Sequence, residues 1–281
     1  MQHHQWNEIA EHLASADKVI VGASNGLSIT EGLHLFAHNA AFTNFFGDLE
    51  SRYGLQCILN GMTAHWPSPE EEWGFWSRLA HHYCAGYRTS QTMQDLKALV
   101  SDKDYFILTS NGECHFEKAG FSKKRIWEIE GNWLTMQCTD GCHDTLYSCE
   151  QALSELAAFE KDGRVPLEMI PRCTRCGSPM RVQMAAGAYG NMFSNQHQIE
   201  NWQRFYKGIW DQKLVILELG IGPRNQLIKA PLMRMTAEKK NAVYITINLG
   251  ELYIPSEIAD RSFGIDDNLE HALGEIHAHT L

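Results

Sequence analysis

The sequence predicts an α/β chain: a Rossmann-like parallel sheet with helices on both faces, plus a small zinc-binding module and a helical module. Two observations predict it. Short apolar runs that end near Gly, Asn or Ser alternate with stretches of helical periodicity, and two close cysteine pairs stand in mid-chain. Gln5–Ala14 carries Trp6, Ile9 and Leu13 at helical spacing, and the run Lys18-Val19-Ile20-Val21 that follows ends at Gly22. The order is helix, buried strand, glycine turn.

In the loop Gly22-Ala23-Ser24-Asn25-Gly26-Leu27-Ser28, small residues let the backbone approach a pyrophosphate at a helix start, where free N–H groups attract anions. The spacing is not a strict G-x-G-x-x-G, so a dinucleotide site and an ordinary turn both remain open from the loop alone. Between Gly32 and Lys97 the strand pattern lapses and aromatic helices replace it, which defines a helical module over 33–100. Ser68-Pro69-Glu70-Glu71 reads as a capping box opening a helix with Trp73, Trp76, Ala80 and Tyr83, an aromatic stripe that belongs to a core. Strands resume at Tyr105–Leu108, Arg125–Ile129, Leu214–Leu217 and Val243–Ile247. In an open α/β sheet, ligands bind outside the carboxyl ends of such strands.

Cys138-x3-Cys142 and Cys173-x2-Cys176 are separated by 30 residues. Each pair can reach one ion from a single turn, and four sulfurs close a tetrahedral shell with no place for a catalytic water, so the expected ion is a structural zinc within a module over 134–182. Two unrelated pairs of buried thiols are the alternative, and His143 and Cys149 are nearby substitutes for one of the four ligands. Eight clustered cysteines in 281 residues favour metal in a reducing compartment over a disulfide framework. With no apolar run of membrane-spanning length and a polar Met1–Glu8, the expectation is a cytoplasmic protein with no membrane partner. A formal charge of −10 argues against nucleic acid, whose phosphates need a basic surface.

The segment Thr109-Ser110-Asn111-Gly112-Glu113, with Ala119-Gly120 and then Glu128-Ile129-Glu130-Gly131, resembles the sirtuins. In that family a strand ends in T-Q-N-I-D, with A-G a few residues on, and the next strand ends in E-x-H-G, whose histidine is the catalytic base. Gly22-Ala23-Ser24, Gly26, Ser28 and Gly32 look like the family's cofactor loop, slightly lengthened, and the four cysteines fall where its zinc module is inserted. Gly220-Ile221-Gly222 stands where the family has G-T-S, and Ile247-Asn248 matches its I-N at the adenosine ribose. The resemblance spans nearly the whole chain as a single catalytic domain, 1–281. It implies NAD as cosubstrate, held by Gly22, Ala23, Ser24, Gly26, Ser28, Gly32, Phe36, Thr109, Ser110, Asn111, Gly220, Ile221, Gly222, Asn248 and Ile265, and zinc on Cys138, Cys142, Cys173 and Cys176.

The departures matter more. Glu130 occupies the position of the catalytic histidine, Ser110 and Glu113 replace the glutamine and aspartate, and only Gly32 and Phe36 survive from the family's G-I-P-D-F-R stretch. Glu218–Gly222, Ala230–Thr236 and Arg261–Ile265 are similar to the macrodomain-linked microbial sirtuins, the class M group, which lacks that histidine and transfers ADP-ribose to protein. That resemblance implies a protein acceptor, a lipoylated carrier protein in particular, and a macrodomain partner. Breaking the nicotinamide–ribose bond creates an oxocarbenium-like centre that Asn111, Glu113 and Glu130 are expected to serve. Asn111 would orient the ribose or carboxamide, Glu113 would hold the amide or ribose hydroxyls, and Glu130 would stabilise the cation or deprotonate the acceptor. Their structural counterparts are a helix cap, a solvated carboxylate and an ion pair. His115 is expected to be a packed histidine, and Gly187 to Phe193 is the expected acceptor groove. An NAD hydrolase, a non-catalytic NAD or ADP-ribose sensor and a protein-lysine deacylase are the competing readings.

Overall fold

The computed structural model describes residues 2–185 and 192–280. In chain order its elements are α1 (Gln2–Ala14), β1 (Lys18–Ala23), α2 (Asn25–Thr30), α3 (Ala40–Tyr53), α4 (Ile58–Thr63), α5 (Pro69–Ala80), α6 (Gln91–Val100), β2 (Asp104–Thr109), α7 (His115–Lys118), β3 (Ile126–Glu128) and β4 (Gly131–Cys138). Then come β5 (Tyr147–Ser148), α8 (Glu150–Phe159), β6 (Met180–Met184), α9 (Gln196–Lys207), β7 (Leu214–Leu219), α10 (Gln226–Glu238), β8 (Ala242–Ile247), β9 (Ser262–Ile265) and α11 (Leu269–Ala278).

Six strands form one sheet in the order β3-β2-β1-β7-β8-β9, every neighbouring pair parallel. Strand alternation explains the two-faced core. Val19 and Val21 pack with Ile9 and Leu13 of α1 and with α6 and α11, while Ile20 points the other way, into Ile228 and Leu232 of α10 and Phe205 of α9. The register puts Glu128, Thr109, Ala23, Leu219, Ile247 and Ile265 side by side in one row across all six strands. The carboxyl ends therefore stand level, and the residues just beyond them share one surface.

Chain order reverses between β1 and β7, and there the backbones of two loops meet. Gly26 N–H donates to Gly220 O at 3.0 Å, and a Cβ built on Gly26 would lie 2.5 Å from Gly220 Cα. Gly220 itself has φ +59°, so glycine is required there on two counts. Beneath it, fully buried Glu218 accepts from the Lys229 ammonium, from the Tyr244 hydroxyl and, at 2.9 Å, from the Thr246 hydroxyl. This satisfied network ties α10 to β7 and β8.

The small antiparallel sheet, β5-β4-β6, and α3–α5 build one continuous second core around Phe46, Trp73, Phe75, Trp133 and Val182. α6 instead packs on the main sheet through Met93, Leu96 and Val100. The capping box does not form. Ser68 is the N-cap of α5 with Pro69 at the first position, but its hydroxyl makes no cap hydrogen bond, and the Glu71 carboxylate accepts from Tyr53 at 2.8 Å. β9 and the small sheet carried no clear sequence pattern, because β9 has four residues and β4 is interrupted by a register shift between Asn132 and Met136. Residues 187–191 of the expected acceptor groove lie outside the described residues. At its end, Phe193 is pinned by Gln137 Oε1 at 2.9 Å and Gln183 Nε2 at 2.7 Å.

We expect Gly26→Ala to cost about 1–3 kcal/mol in urea unfolding, because the added methyl meets backbone that has no room to yield.

Candidate active site

A cleft of about 700 Å³ runs over the level strand ends, lined by Ser24 and Gly26 after β1, Ser110 and Asn111 after β2, Glu130 after β3, Gly220, Gly222, Arg224 and Asn225 after β7, and Asn248 after β8. From β3 to β8 is four strand spacings, about 19 Å, a span for an extended ligand. The far wall comes from Leu35, Met62, Trp133 and Met184 of the second core, with Phe36 and Leu59 beside them.

Hydrogen bonds join the loops into one floor. Ser24 and Ser110 hydroxyls lie 3.0 Å apart, Asn225 Nδ2 donates to both at 3.0 and 2.9 Å, and Asn111 Nδ2 donates to Ser24 O at 3.0 Å. Asn225 is the N-cap of α10 yet makes no cap bond with its side chain. Its amide is turned to the serines. Because a hydroxyl both donates and accepts, this arrangement tolerates either end of the Asn225 amide toward the cleft. Asn111 likewise caps nothing; its backbone N–H donates to Thr109 Oγ1 at 3.0 Å while its amide ties the β2 loop to the β1 loop.

Glu130 is half-buried and, among the described residues, has no hydrogen-bond or ion-pair partner for its carboxylate. The ion-pair alternative is therefore not what the described residues show. Burial raises its carboxyl above the ordinary carboxylate range, the direction that makes a carboxylate a better base. Glu128, two residues earlier, is committed elsewhere: it accepts from Asn132 Nδ2 at 2.8 Å and from Gln198 Nε2 at 2.9 Å. Glu113 does not line the cleft, nor is it solvated. It is 3% exposed and accepts from Ser28 Oγ at 2.6 Å, so these two positions, both expected to meet ligand, meet each other underneath the site. His115 is packed, its Nε2 2.7 Å from Tyr83 O and its ring stacked on Tyr87.

Of the remaining expected positions, Phe36 stands exposed on the rim, while Gly22, Ala23 and Thr109 end their strands below the floor and Gly32 turns the chain at φ +86°. Ile221 is buried in the core, and Ile265 supports Asn248, whose N–H donates to its carbonyl at 3.1 Å. Sequence reasoning missed Asn25, Trp133, Met184, Arg224, Asn225 and Glu251 on the lining. A tryptophan in a strand reads as core, and an asparagine before a helix reads as a cap.

Three buried polar atoms on this lining lack partners among the described residues: Asn25 Oδ1, Asn225 Oδ1 and Trp133 Nε1. An unpaired buried polar group costs about 1–3 kcal/mol, so three at one cleft mark places for ligand groups. Trp133 is 1% exposed, and its indole abuts Gly112, where an added Cβ would lie 2.8 Å from Nε1. The glycine contact, the serine–asparagine floor and these atoms suit a polar dinucleotide.

The metal cluster lies in the second core. Cys138 and Cys176 sulfurs are 3.6 Å apart, and those of Cys142 and Cys173 are 3.5 Å apart. Sulfurs 2.3 Å from a tetrahedral zinc stand about 3.8 Å from each other, so the donors fit that ion. His143 Nδ1 joins the group, 3.0 Å from Cys142 Sγ, with Nε2 2.9 Å from the Tyr147 hydroxyl. Cys149 is elsewhere, its thiol 3.5 Å from Trp133 O. The tightest donor group is Cys138, Cys142, His143 and Cys173, and Cys176 joins it against Cys138; the four cysteines would hold the ion, with His143 beside them, and the ion would fasten the β4 and β6 ends without lining the cleft.

No family model matches the chain. It is 29% identical over 257 residues to a protein ADP-ribosyltransferase of Staphylococcus aureus strain Mu50, covering 90% of this chain and 81% of that protein. It is 30% identical over 230 residues to a probable bifunctional ADP-ribose hydrolase/ADP-ribosyltransferase of Fusarium oxysporum f. sp. cubense, covering 75% of this chain and 36% of that protein. Among solved structures, a Sir2 homologue in complex with ADP-ribose superposes with a TM-score of 0.63 at 14% identity, over 97% of this chain and 95% of that one. A Sir2 homologue–NAD complex gives 0.62 at 14%, over 97% and 93%.

Trp133→Phe keeps the packing and removes only the unpaired N–H; we expect it to weaken ADP-ribose binding about 3- to 10-fold in calorimetry with thermal stability unchanged or higher. Equal affinity would show that the indole N–H meets no ligand.

Proposed function

This chain has the sirtuin fold, and we propose that it is an NAD-dependent protein ADP-ribosyltransferase that moves ADP-ribose from NAD to a protein acceptor and releases nicotinamide. The observation that carries the reading is the pairing of Asn111 with Glu130 on a cleft where, among the described residues, no histidine is present. A deacylase of the sirtuin type needs an imidazole there. The names of the two relatives, both ADP-ribosyltransferases, support transfer as the activity.

NAD supplies an electrophilic ribose carbon whose bond to nicotinamide is already weakened by the positive ring. The chain supplies position and charge. Ser24, Ser110, Asn225, Gly220 and Gly222 hold the phosphate and adenosine portion, Asn248 meets the adenosine ribose, and Asn111 orients the nicotinamide ribose. Glu130 provides the negative charge that a developing oxocarbenium requires, and its raised carboxyl takes a proton from the incoming acceptor. Trp133, Met184 and Phe36 line an apolar approach to that point and keep water sparse. Glu113 acts from below, holding Ser28 and with it α2.

For the acceptor we favour a lipoylated carrier protein, whose apolar arm suits this wall, with a macrodomain hydrolase as the partner that removes the mark. The relative whose name joins a hydrolase to the transferase supports that pairing. Among the described residues no helix is long and apolar enough to cross a membrane, and a thiol-rich metal cluster agrees with placement in the cytoplasm.

Incubation with labelled NAD and a carrier protein, lipoylated or not, tests this when nicotinamide release and protein-bound label are followed together. Label confined to the lipoylated carrier is the expected result, and Asn111→Ala should lower it about 100-fold or more with the fold intact. Nicotinamide without protein label would indicate a hydrolase, and tight NAD binding without nicotinamide release would indicate a sensor.

A further inference from the structure

We propose that His143 is a built-in replacement ligand of the metal clamp, placed to substitute for Cys176 so that the ion is then held by Cys138, Cys142, Cys173 and the imidazole. The clamp has five donors for four places.

The Cys138, Cys142 and Cys173 sulfurs and His143 Nδ1 all lie within 4.8 Å of one another. Nδ1 stands 3.8 Å from Cys173 Sγ and 3.0 Å from Cys142 Sγ. A nitrogen about 2.0 Å and a sulfur about 2.3 Å from one tetrahedral zinc are about 3.5 Å apart, so Nδ1 reaches a ligand position by a shift of roughly half an ångström from Cys142.

The ring is also held as a ligand would be. Nε2 lies 2.9 Å from the Tyr147 hydroxyl, and the two rings meet edge to face with centroids 5.7 Å apart. Tyr147 belongs to β5 and pairs with Met136 of β4, so the imidazole is oriented from the same small sheet that the clamp fastens. In the tautomer that donates Nε2–H to that hydroxyl, Nδ1 turns its lone pair to the sulfurs, the form in which imidazole binds a metal, and the ring has the outer hydrogen-bond partner that metal-bound histidines keep. Cys149, the other nearby candidate, has its thiol against Trp133 O instead.

Exposure and position decide which cysteine gives way. Cys138, Cys173 and His143 are buried, while Cys142 and Cys176 are exposed. Cys142 belongs to the close group with His143, whereas Cys176 joins it against Cys138 at 3.6 Å. Cys176 is therefore the donor whose loss leaves four others together. Because Cys138 ends β4 and Cys173 precedes β6, the substituted clamp ties the same two strand ends. A reagent that takes the exposed Cys176 thiol thus removes a ligand without releasing the ion or the strand it fastens.

Zinc content of the full chain, together with the ligand shell read by X-ray absorption, tests this. Cys176→Ala should keep about one zinc per chain, with three sulfurs and one nitrogen around it, and His143→Ala should keep its zinc on four sulfurs. The two substitutions combined should weaken retention against a chelator about tenfold or more, as Cys138→Ala should alone. Cys176→Ser, with a side chain of nearly the same shape, repeats the first measurement where the alanine variant folds poorly. Loss of zinc from both Cys176 variants would overturn the proposal. So would loss of zinc from His143→Ala alone, or a Cys176→Ala shell without the nitrogen and a double variant that retains zinc equally well.

Discussion

The backbones of Gly26 and Gly220 touch across the gap between β1 and β7, and the site depends on that contact. It lies where the strand order reverses, so the two loops diverge from it and leave a crevice above the sheet. A side chain at either position would wedge the loops apart. The contact brings Ser24 within reach of Asn225 and Ser110, whose mutual hydrogen bonds make the floor. Below, the Glu218 network fixes the height of Gly220 by holding α10, β7 and β8 together. The cofactor end of the cleft is thus rigid and largely prepared, which reduces the ordering cost of binding.

The other end is built differently. Glu130 leaves the main sheet and immediately enters β4, so it sits at the junction of the two cores. Trp133, two residues on, donates its backbone N–H to Gly112 O at 2.9 Å, which fastens the second core to the loop bearing Asn111. The four cysteines clamp the far end of the same strand. A metal at that clamp would hold β4, and through it Glu130 and Trp133, in place while taking no part in the reaction.

Much of this was legible in the sequence, for a physical reason. Ser24, Ser110, Asn111, Glu130, Gly220, Gly222 and Asn248 each follow a buried strand by one or a few residues, and parallel strands in register must end together. What could not be read were positions set by packing between distant segments. Asn225 has the sequence position of a cap, and Trp133 that of a core residue; only the fold reveals that one bonds two serines 115 and 201 residues away and that the other, a side chain on the cleft lining, has a buried indole N–H with no partner among the described residues. Ser28 and Glu113 misled in the opposite sense, since polar residues in ligand loops are expected to meet ligand and these two satisfy each other. The capping box failed because Glu71 found Tyr53, a partner supplied by a helix that the local sequence does not mention.

The central claim is a direction along the cleft, with cofactor phosphates over the β1–β7 crossing and chemistry at the β3 edge. A crystal structure of the protein with ADP-ribose tests it most directly. The account predicts adenosine over Gly222 and Asn248 and the free ribose beside Asn111 with a hydroxyl near Glu130. A ligand lying in the reverse sense, or a free ribose turned away from Glu130, would contradict it.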